Sequence, residues 1–280
     1  MIQEAVSELI NRALKEDIGD GDHSSLACIP GRAEGKARLI IKEAGIIAGI
    51  QAALHVFSLV DKKISLSKCM SDGSTVKPGD TGFIAEGPVQ GLLKSERLVL
   101  NIMQRMSGIA TNTARYVEAV KGYKAKILDT RKTSPGLRLL EKEAVRLGGG
   151  LNHRMGLYDM IMLKDNHIDY AGGIGSAIRK TNDYLKKTGK DLMIVIEARS
   201  HDELEQILKQ GMIDRIMLDN FSISDTTLAV KMINGKYEVE SSGGITLDTI
   251  RDYARCGVDY ISVGALTHQI KSLDISLKAI

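Results

Sequence analysis

The chain has 280 residues, 43% hydrophobic and 26% charged, which suits one large globular domain or two smaller ones. Its formal charge of +3 is too small to mark a nucleic-acid binder, and no apolar run reaches membrane-spanning length. Cys28, Cys69 and Cys256 are far apart and odd in number, fitting neither a disulfide framework nor a zinc site, so a reduced cytoplasmic enzyme is expected.

Ile2, Val6, Leu9, Ile10 and Ala13 fall at helical spacing and predict a helix over 2–16 that stops before "DIGDGD". Acids in its first turns and the lack of a long apolar core argue against a signal peptide. Extended segments are expected at "GKARLIIKEAG" and "TGFIAEG", separated by a helix and the turn-rich "SDGSTVKPGD". This first part reads as an α+β unit of its own. A long helical region over roughly 94–120 follows, with a break expected near Ser107 and Gly108, and bridges to the remainder.

From residue 125 short apolar runs alternate with helical stretches. The runs are "KILDT", "MIMLKDN", "MIVIEAR", "RIMLDN", "YEVESSGG" and "YISVGAL". Such alternation marks βα units around a parallel sheet. Each run ends in functional residue types, which favours a barrel over an open doubly wound sheet, because barrel enzymes build their sites from those ends. A full eightfold barrel takes about 250 residues. Six strands therefore predict an open, incomplete parallel β/α barrel, its mouth covered by the N-terminal unit or by a partner.

The strand ends supply, in order, Asp129 with Thr130, Arg131 and Lys132; Lys164 with Asp165; Glu197; Asp219 with Asn220; Ser242-Gly243-Gly244; and Val263-Gly264-Ala265. Glycines after a strand usually serve only the turn. Their presence after both of the last two strands fits the place where barrel enzymes bind phosphate. Glu197 and Asp219 are either salt-bridged rim residues or acceptors for substrate hydroxyls or hydrated Mg²⁺.

In "DTRKTSPGLRLLEKEAVRLGGG", Ser134 is the expected N-cap, Pro135 the first helical residue and Gly148 the stop. Arg131 and Lys132 are then held in a short loop between a strand and a helix. With His153, Arg154 and Lys164 converging on the same mouth, the cluster implies a polyanionic ligand, since it would otherwise repel itself. Gly148 to Gly150 serve either as a helix stop or as a tight loop beneath that ligand. His23, His55, His201, His268 and the methionines read as structural.

These residues resemble the quinolinate phosphoribosyltransferase family, the carboxylating nicotinate-nucleotide pyrophosphorylases. The matching stretches are "KEDIGDGDHSS", "SDGSTVKPGD", "SERLVLNIMQRMSGIAT", "DTRKTSPGLRLLEKEAVRLGGGLNHRMGLYDMIMLKDNHI", "RIMLDNF" and "SSGGIT…GVDYISVGALTHQ". The resemblance implies an α/β fold with an N-terminal α+β sandwich over 1–108 and an open barrel over 109–266, the tail 267–280 packing back on the first. It implies transfer of phosphoribose from phosphoribosyl pyrophosphate to quinolinate, with decarboxylation to nicotinate mononucleotide for NAD synthesis.

It also implies Mg²⁺ at Glu197 and Asp219, reached through substrate hydroxyls or water. The expected assembly is a homodimer whose N-terminal domains cap each other's barrels, with three dimers as a further level. Neither nucleic acid nor membrane is an expected partner. By the same resemblance, Arg131, Lys132, His153 and Arg154, with Thr130, form the quinolinate site, and Arg97 is lent by the neighbouring subunit. Lys164, Glu197 and Asp219 face the phosphoribosyl donor, so that Lys132, Lys164, Glu197 and Asp219 make up the catalytic set. Ser242, Gly243, Gly244, Val263, Gly264 and Ala265 cradle its phosphate.

One departure stands out: Val195 replaces an acid common in relatives, and strand alternation points it the same way as Glu197. Two other readings remain open at this stage. One is a relative linked to molybdate-transport genes with another substrate, although "LYDMIMLKDNHI" with Lys164 favours quinolinate. The other is a Schiff-base lyase using Lys164.

Overall fold

In a computed structural model describing residues 2–280, the chain divides into two units. One comprises the residues up to Ala114 with Thr133–Gly149 and Leu266–Ile280; the other comprises Arg115–Lys132 and Gly150–Ala265.

The opening apolar stripe forms α1 (Ile2–Ile18), followed by α2 (His23–Cys28), whose first turn is capped by the Asp22 carboxylate accepting the Ser25 N–H. Next come β1 (Glu34–Ile41), β2 (Gly45–Ile46), α3 (Ile50–Val60), β3 (Ser65–Ser67), β4 (Thr75–Val76) and β5 (Thr81–Pro88). Along β1 the buried residues Ala37, Leu39 and Ile41 alternate with more open ones, the period of a strand covered on one face. On β5, Phe83 meets Phe57 of α3 edge to face, ring centroids 6.0 Å apart.

The chain then runs through α4 (Val89–Ala119), 31 residues without the break expected near Ser107 and Gly108. Those small residues admit neighbouring backbone instead. The Ser107 hydroxyl accepts the Ala48 N–H at 2.9 Å and donates to the Ala48 carbonyl at 3.2 Å. A Cβ on Gly108 would strike the Lys271 carbonyl and lie 3.1 Å from Ser272 Cα. Close packing thus outweighs the roughly 1 kcal/mol that a mid-helix glycine costs.

The parallel part begins with β6 (Lys126–Leu128), followed by α5 (Arg138–Leu147), which belongs to the first unit. Ser134 is not the cap of α5, because the helix starts at Arg138 with Leu137 at the cap position. Glu141 explains the difference: its carboxylate takes the Ser134 N–H and the Arg105 side chain, while Arg105 also donates to the Ser134 hydroxyl. Ser134 and Leu137 therefore close a turn ahead of the helix. Gly148 does stop α5, and a Cβ there would strike the Ala110 carbonyl of α4 and lie 2.7 Å from Thr113 Cβ. Its reason is helix termination and close helix packing.

Then follow β7 (Ile161–Leu163), α6 (Asp165–Ala171), α7 (Ile174–Thr188), β8 (Ile194–Ala198), α8 (His201–Gln210), β9 (Arg215–Asp219), α9 (Ile223–Ile233), β10 (Glu238–Ser242), α10 (Ile250–Arg255), β11 (Tyr260–Ser262) and α11 (Ala265–His268). All six predicted apolar runs form strands, in the order β6-β11-β10-β9-β8-β7, and every neighbouring pair is parallel. No ladder joins β6 to β7, so the barrel is open. Finally β12 (Ile275–Ala279) pairs antiparallel with β1, completing the sheet β12-β1-β5-β3 of the first unit.

Candidate active site

Strand alternation sorts the residues that can face the barrel interior. Val195 and Glu197 share one face of β8; Arg215, Met217 and Asp219 share one face of β9; Glu238, Glu240 and Ser242 share one face of β10. The registers bring Glu197 beside Met217, Glu240 beside Met217, and Ser242 beside Asp219. Val195 is fully buried in an apolar cluster with Met160, Met162 and Met217. Position 195 is therefore part of a dry floor, and Glu197 is the carboxylate of β8. Glu197 is buried and forms an ion pair with the Lys164 ammonium, which comes from the end of β7.

A second wall carries the cations. Asp129, buried at the end of β6, accepts the Asn152 side-chain amide at 2.6 Å and the His153 N–H at 2.8 Å. That aspartate fastens the segment carrying His153 and Arg154, both buried. Arg154 Nη1 donates to the Met160 carbonyl at 3.2 Å, and the following loop is closed by Asp159 accepting the Met155 and Gly156 N–H groups. Burial, then the like charge of Arg131, lowers Arg154's affinity for its proton; Asp159 and Glu197 oppose this only in part. Arg131 and Lys132 are exposed, and the Lys132 N–H donates to the Thr130 hydroxyl at 3.1 Å.

At the ends of β9 to β11 the surface is bare backbone. Gly243 and Gly244 both have positive φ, +97° and +59°. A Cβ on Gly243 would strike the Asn220 side chain and lie 2.8 Å from its backbone nitrogen. Asn220 is held in turn, its N–H donating to the Ser242 carbonyl at 2.8 Å and its side-chain amide to Asp219 at 2.9 Å. Val263 is buried and bonds through its N–H to the Leu128 carbonyl; Gly264 and Ala265 follow, half-buried.

The expected site residues other than Arg97 thus all lie in one unit, most at the C-terminal ends of its strands and His153 and Arg154 in the segment before β7. Arg97 lies exposed on α4 in the other unit. The sequence reading missed a charged network under the site. Arg215 donates to Glu238 at 2.8 and 3.0 Å and to Glu240 at 3.1 Å, and lies over the Tyr260 ring. Glu240 is completely buried and also accepts the Ser262 hydroxyl. Burial works against its charge, but the His153 ring, Ser262 and Arg215 outweigh it and hold the carboxyl below its usual range. Alternation back from Ser242 would have placed Glu240 inside.

Among the described residues no group of three or more His, Cys, Asp or Glu side chains can hold a metal ion. Mg²⁺ does fit, because it takes one or two carboxylates, water and substrate phosphate oxygens, and Glu197 and Asp219 are acids of that kind.

Fold and site together define an open α/β barrel that collects cations, carboxylates and glycine turns in one unit. The sequence model of the quinolinate phosphoribosyl transferase C-terminal domain matches residues 109–278, and that of the N-terminal domain matches residues 22–107. The chain belongs to the quinolinate phosphoribosyl transferase family. It is 45% identical to the chloroplastic nicotinate-nucleotide pyrophosphorylase [carboxylating] of Oryza sativa subsp. japonica, over 96% of this chain and 76% of the relative. Identity to the probable nicotinate-nucleotide pyrophosphorylase [carboxylating] of Bacillus subtilis is 42%, over 97% and 92%. Among solved structures, NadC from Streptococcus pyogenes superposes with a TM-score of 0.92 at 40% identity, covering 98% of this chain and 97% of that one.

Proposed function

We propose that this enzyme transfers phosphoribose from phosphoribosyl pyrophosphate to the ring nitrogen of quinolinate and releases the 2-carboxylate as CO₂, forming nicotinate mononucleotide and pyrophosphate for NAD synthesis. The observation that carries the reading is the buried Arg154, on a segment fastened by Asp129, in the same unit as the buried Glu197 paired with Lys164 at the end of β7. A molybdate-linked relative or a Schiff-base lyase is not favoured for a chain that matches both quinolinate phosphoribosyl transferase domains along most of its length.

Arg131, Arg154 and Lys132 grip the two carboxylates, with His153 in the same wall, and aim the ring nitrogen at ribose C1. Glu197 and Asp219 accept the ribose hydroxyls, and the Ser242–Gly244 and Val263–Ala265 backbones hold the 5′-phosphate. The nitrogen–C1 bond forms as the bond from C1 to pyrophosphate breaks, its electron pair leaving with pyrophosphate. The ring nitrogen is now cationic. When the bond to the 2-carboxylate breaks, that cation stabilises the electron pair left on C2, which then takes a proton. Lys164 stabilises negative charge on the donor. Glu197 and Asp219 would hold Mg²⁺ through water and substrate oxygens, and the ion supplies charge neutralisation for the pyrophosphate.

The same reading includes a homodimer in which Arg97 enters the partner's barrel mouth. Leu157 and Tyr158, 72% and 71% exposed in the loop after Arg154, support a covered surface there. We place the enzyme in the cytoplasm on its odd, scattered cysteines. No helix among the described residues is long and apolar enough to cross a membrane. The test is to incubate the protein with quinolinate, phosphoribosyl pyrophosphate and Mg²⁺ and to follow nicotinate mononucleotide and CO₂ together, with nicotinate as the control substrate. Product from quinolinate alone is expected. A folded protein that makes none refutes the assignment.

A further inference from the structure

We infer that Glu240 is a positioning residue for the quinolinate site: from beneath the barrel mouth it fixes the His153 ring, and the ring holds the backbone of Arg154. The inference deepens the proposed function and rests on it. The Arg154 N–H donates to His153 Nδ1 at 2.7 Å. A nitrogen that accepts such a bond carries a lone pair, so the ring proton is assigned to Nε2. Nε2 lies 3.3 Å from Glu240 Oε2, with the two side chains 4% and 0% exposed. Glu240 is itself gripped by Arg215 Nη1 and the Ser262 hydroxyl, and Arg215 is anchored to Glu238. A continuous chain of contacts thus leads from the barrel floor to the backbone of the arginine that faces the substrate.

His153 Nδ1 accepts the Arg154 N–H, while Nε2 faces the Glu240 carboxylate at 3.3 Å in a charge contact without hydrogen-bond geometry. The ring therefore serves the dicarboxylate pocket by placing Arg154, and not by offering its own N–H to quinolinate as the family resemblance implied. An apolar residue of the same size at 240 would fill the space but strand buried donors on Arg215, Ser262 and His153. A carboxylate accepts from Arg215 and Ser262 and sets a negative charge against His153 Nε2, whose proton the bond at Nδ1 already assigns.

The test uses the full chain with Glu240→Gln, which keeps the shape, and Ser262→Ala as a milder variant. For Glu240→Gln the expected outcome is a KM for quinolinate raised about tenfold, with kcat and the KM for phosphoribosyl pyrophosphate nearly unchanged, because uniform binding alone is lost. ¹⁵N spectra of labelled histidine should show the Nε2–H tautomer for His153 in the parent and a shifted Nε2 resonance in the variant, where the facing negative charge is gone. For Ser262→Ala a rise of about threefold in the quinolinate KM alone is expected, and this keeps the test alive where Glu240→Gln does not fold. An unchanged quinolinate KM, an equal rise for both substrates, or an unshifted Nε2 resonance overturns the proposal. If the parent protein converts no quinolinate, it is the proposed function that fails, and the Nε2 resonance still decides whether Glu240 acts on the ring.

Discussion

Replacing Gly243 by alanine tests the phosphate-binding end of the site. The new Cβ would lie 2.8 Å from Asn220 N and 2.6 Å from Asn220 Cγ, whereas ordinary contact begins at 3.4 Å. The Asn220 nitrogen cannot step aside, because its N–H is bonded to the Ser242 carbonyl at 2.8 Å. The turn must therefore move by roughly 0.6 Å, at a packing cost of about 1–3 kcal/mol. Holding alanine at φ +97° costs a further ~1–2 kcal/mol. A total of about 2–5 kcal/mol corresponds, for 280 residues, to a melting temperature lower by about 3–9 °C. The backbone donors at 243 and 244 move with the turn, and losing one bond to a charged phosphate weakens binding by roughly 10- to 100-fold. Thermal melting, with calorimetric titration of ribose 5-phosphate and separately of quinolinate, reads both effects. Quinolinate affinity should change little. A variant that melts and binds ribose 5-phosphate as the parent does would refute the reasoning.

Arg154→Ala should lower kcat/KM for quinolinate roughly 100-fold, the loss of a charge-assisted bidentate contact, while ribose 5-phosphate still binds; equal losses for both ligands would point to misfolding. If Arg97 is lent across a dimer, Arg97→Ala and Arg154→Ala are each inactive, and mixing them after dissociation should restore roughly a quarter of parental activity by random pairing. Activity that stays at zero in mixed dimers would place both residues in one subunit's site or in none. Glu240 is held below its ordinary range in the folded protein, so its charge contributes stability above the unfolded value of about 4.3, and that contribution is lost as pH falls through the lower folded value. The parent should thus lose stability relative to Glu240→Gln below about pH 4, and parallel melting curves down to pH 3 would contradict the lowered value.

Local patterns were enough to read the parallel half. Each apolar run from "KILDT" to "YISVGAL" became a strand because burial on the sheet favours such runs wherever turn residues bound them. The residues at the strand ends were legible for the same reason, since chain direction alone decides which end of a parallel strand points to the mouth. Contacts between distant segments decided the rest. Ser107 and Gly108 look like helix breakers until Ala48 and Lys271 come against them, and packing then keeps α4 whole. Ser134 has the chemistry of a cap, but Glu141 and Arg105 claim it for a turn. Arg215 lies in one run and Glu238 and Glu240 in the next, and in sequence neither Arg215 nor Glu240 has an evident reason to be buried. Only the register of β9 against β10 lays the guanidinium between the two carboxylates, and that pairing makes their charges tolerable beneath the site.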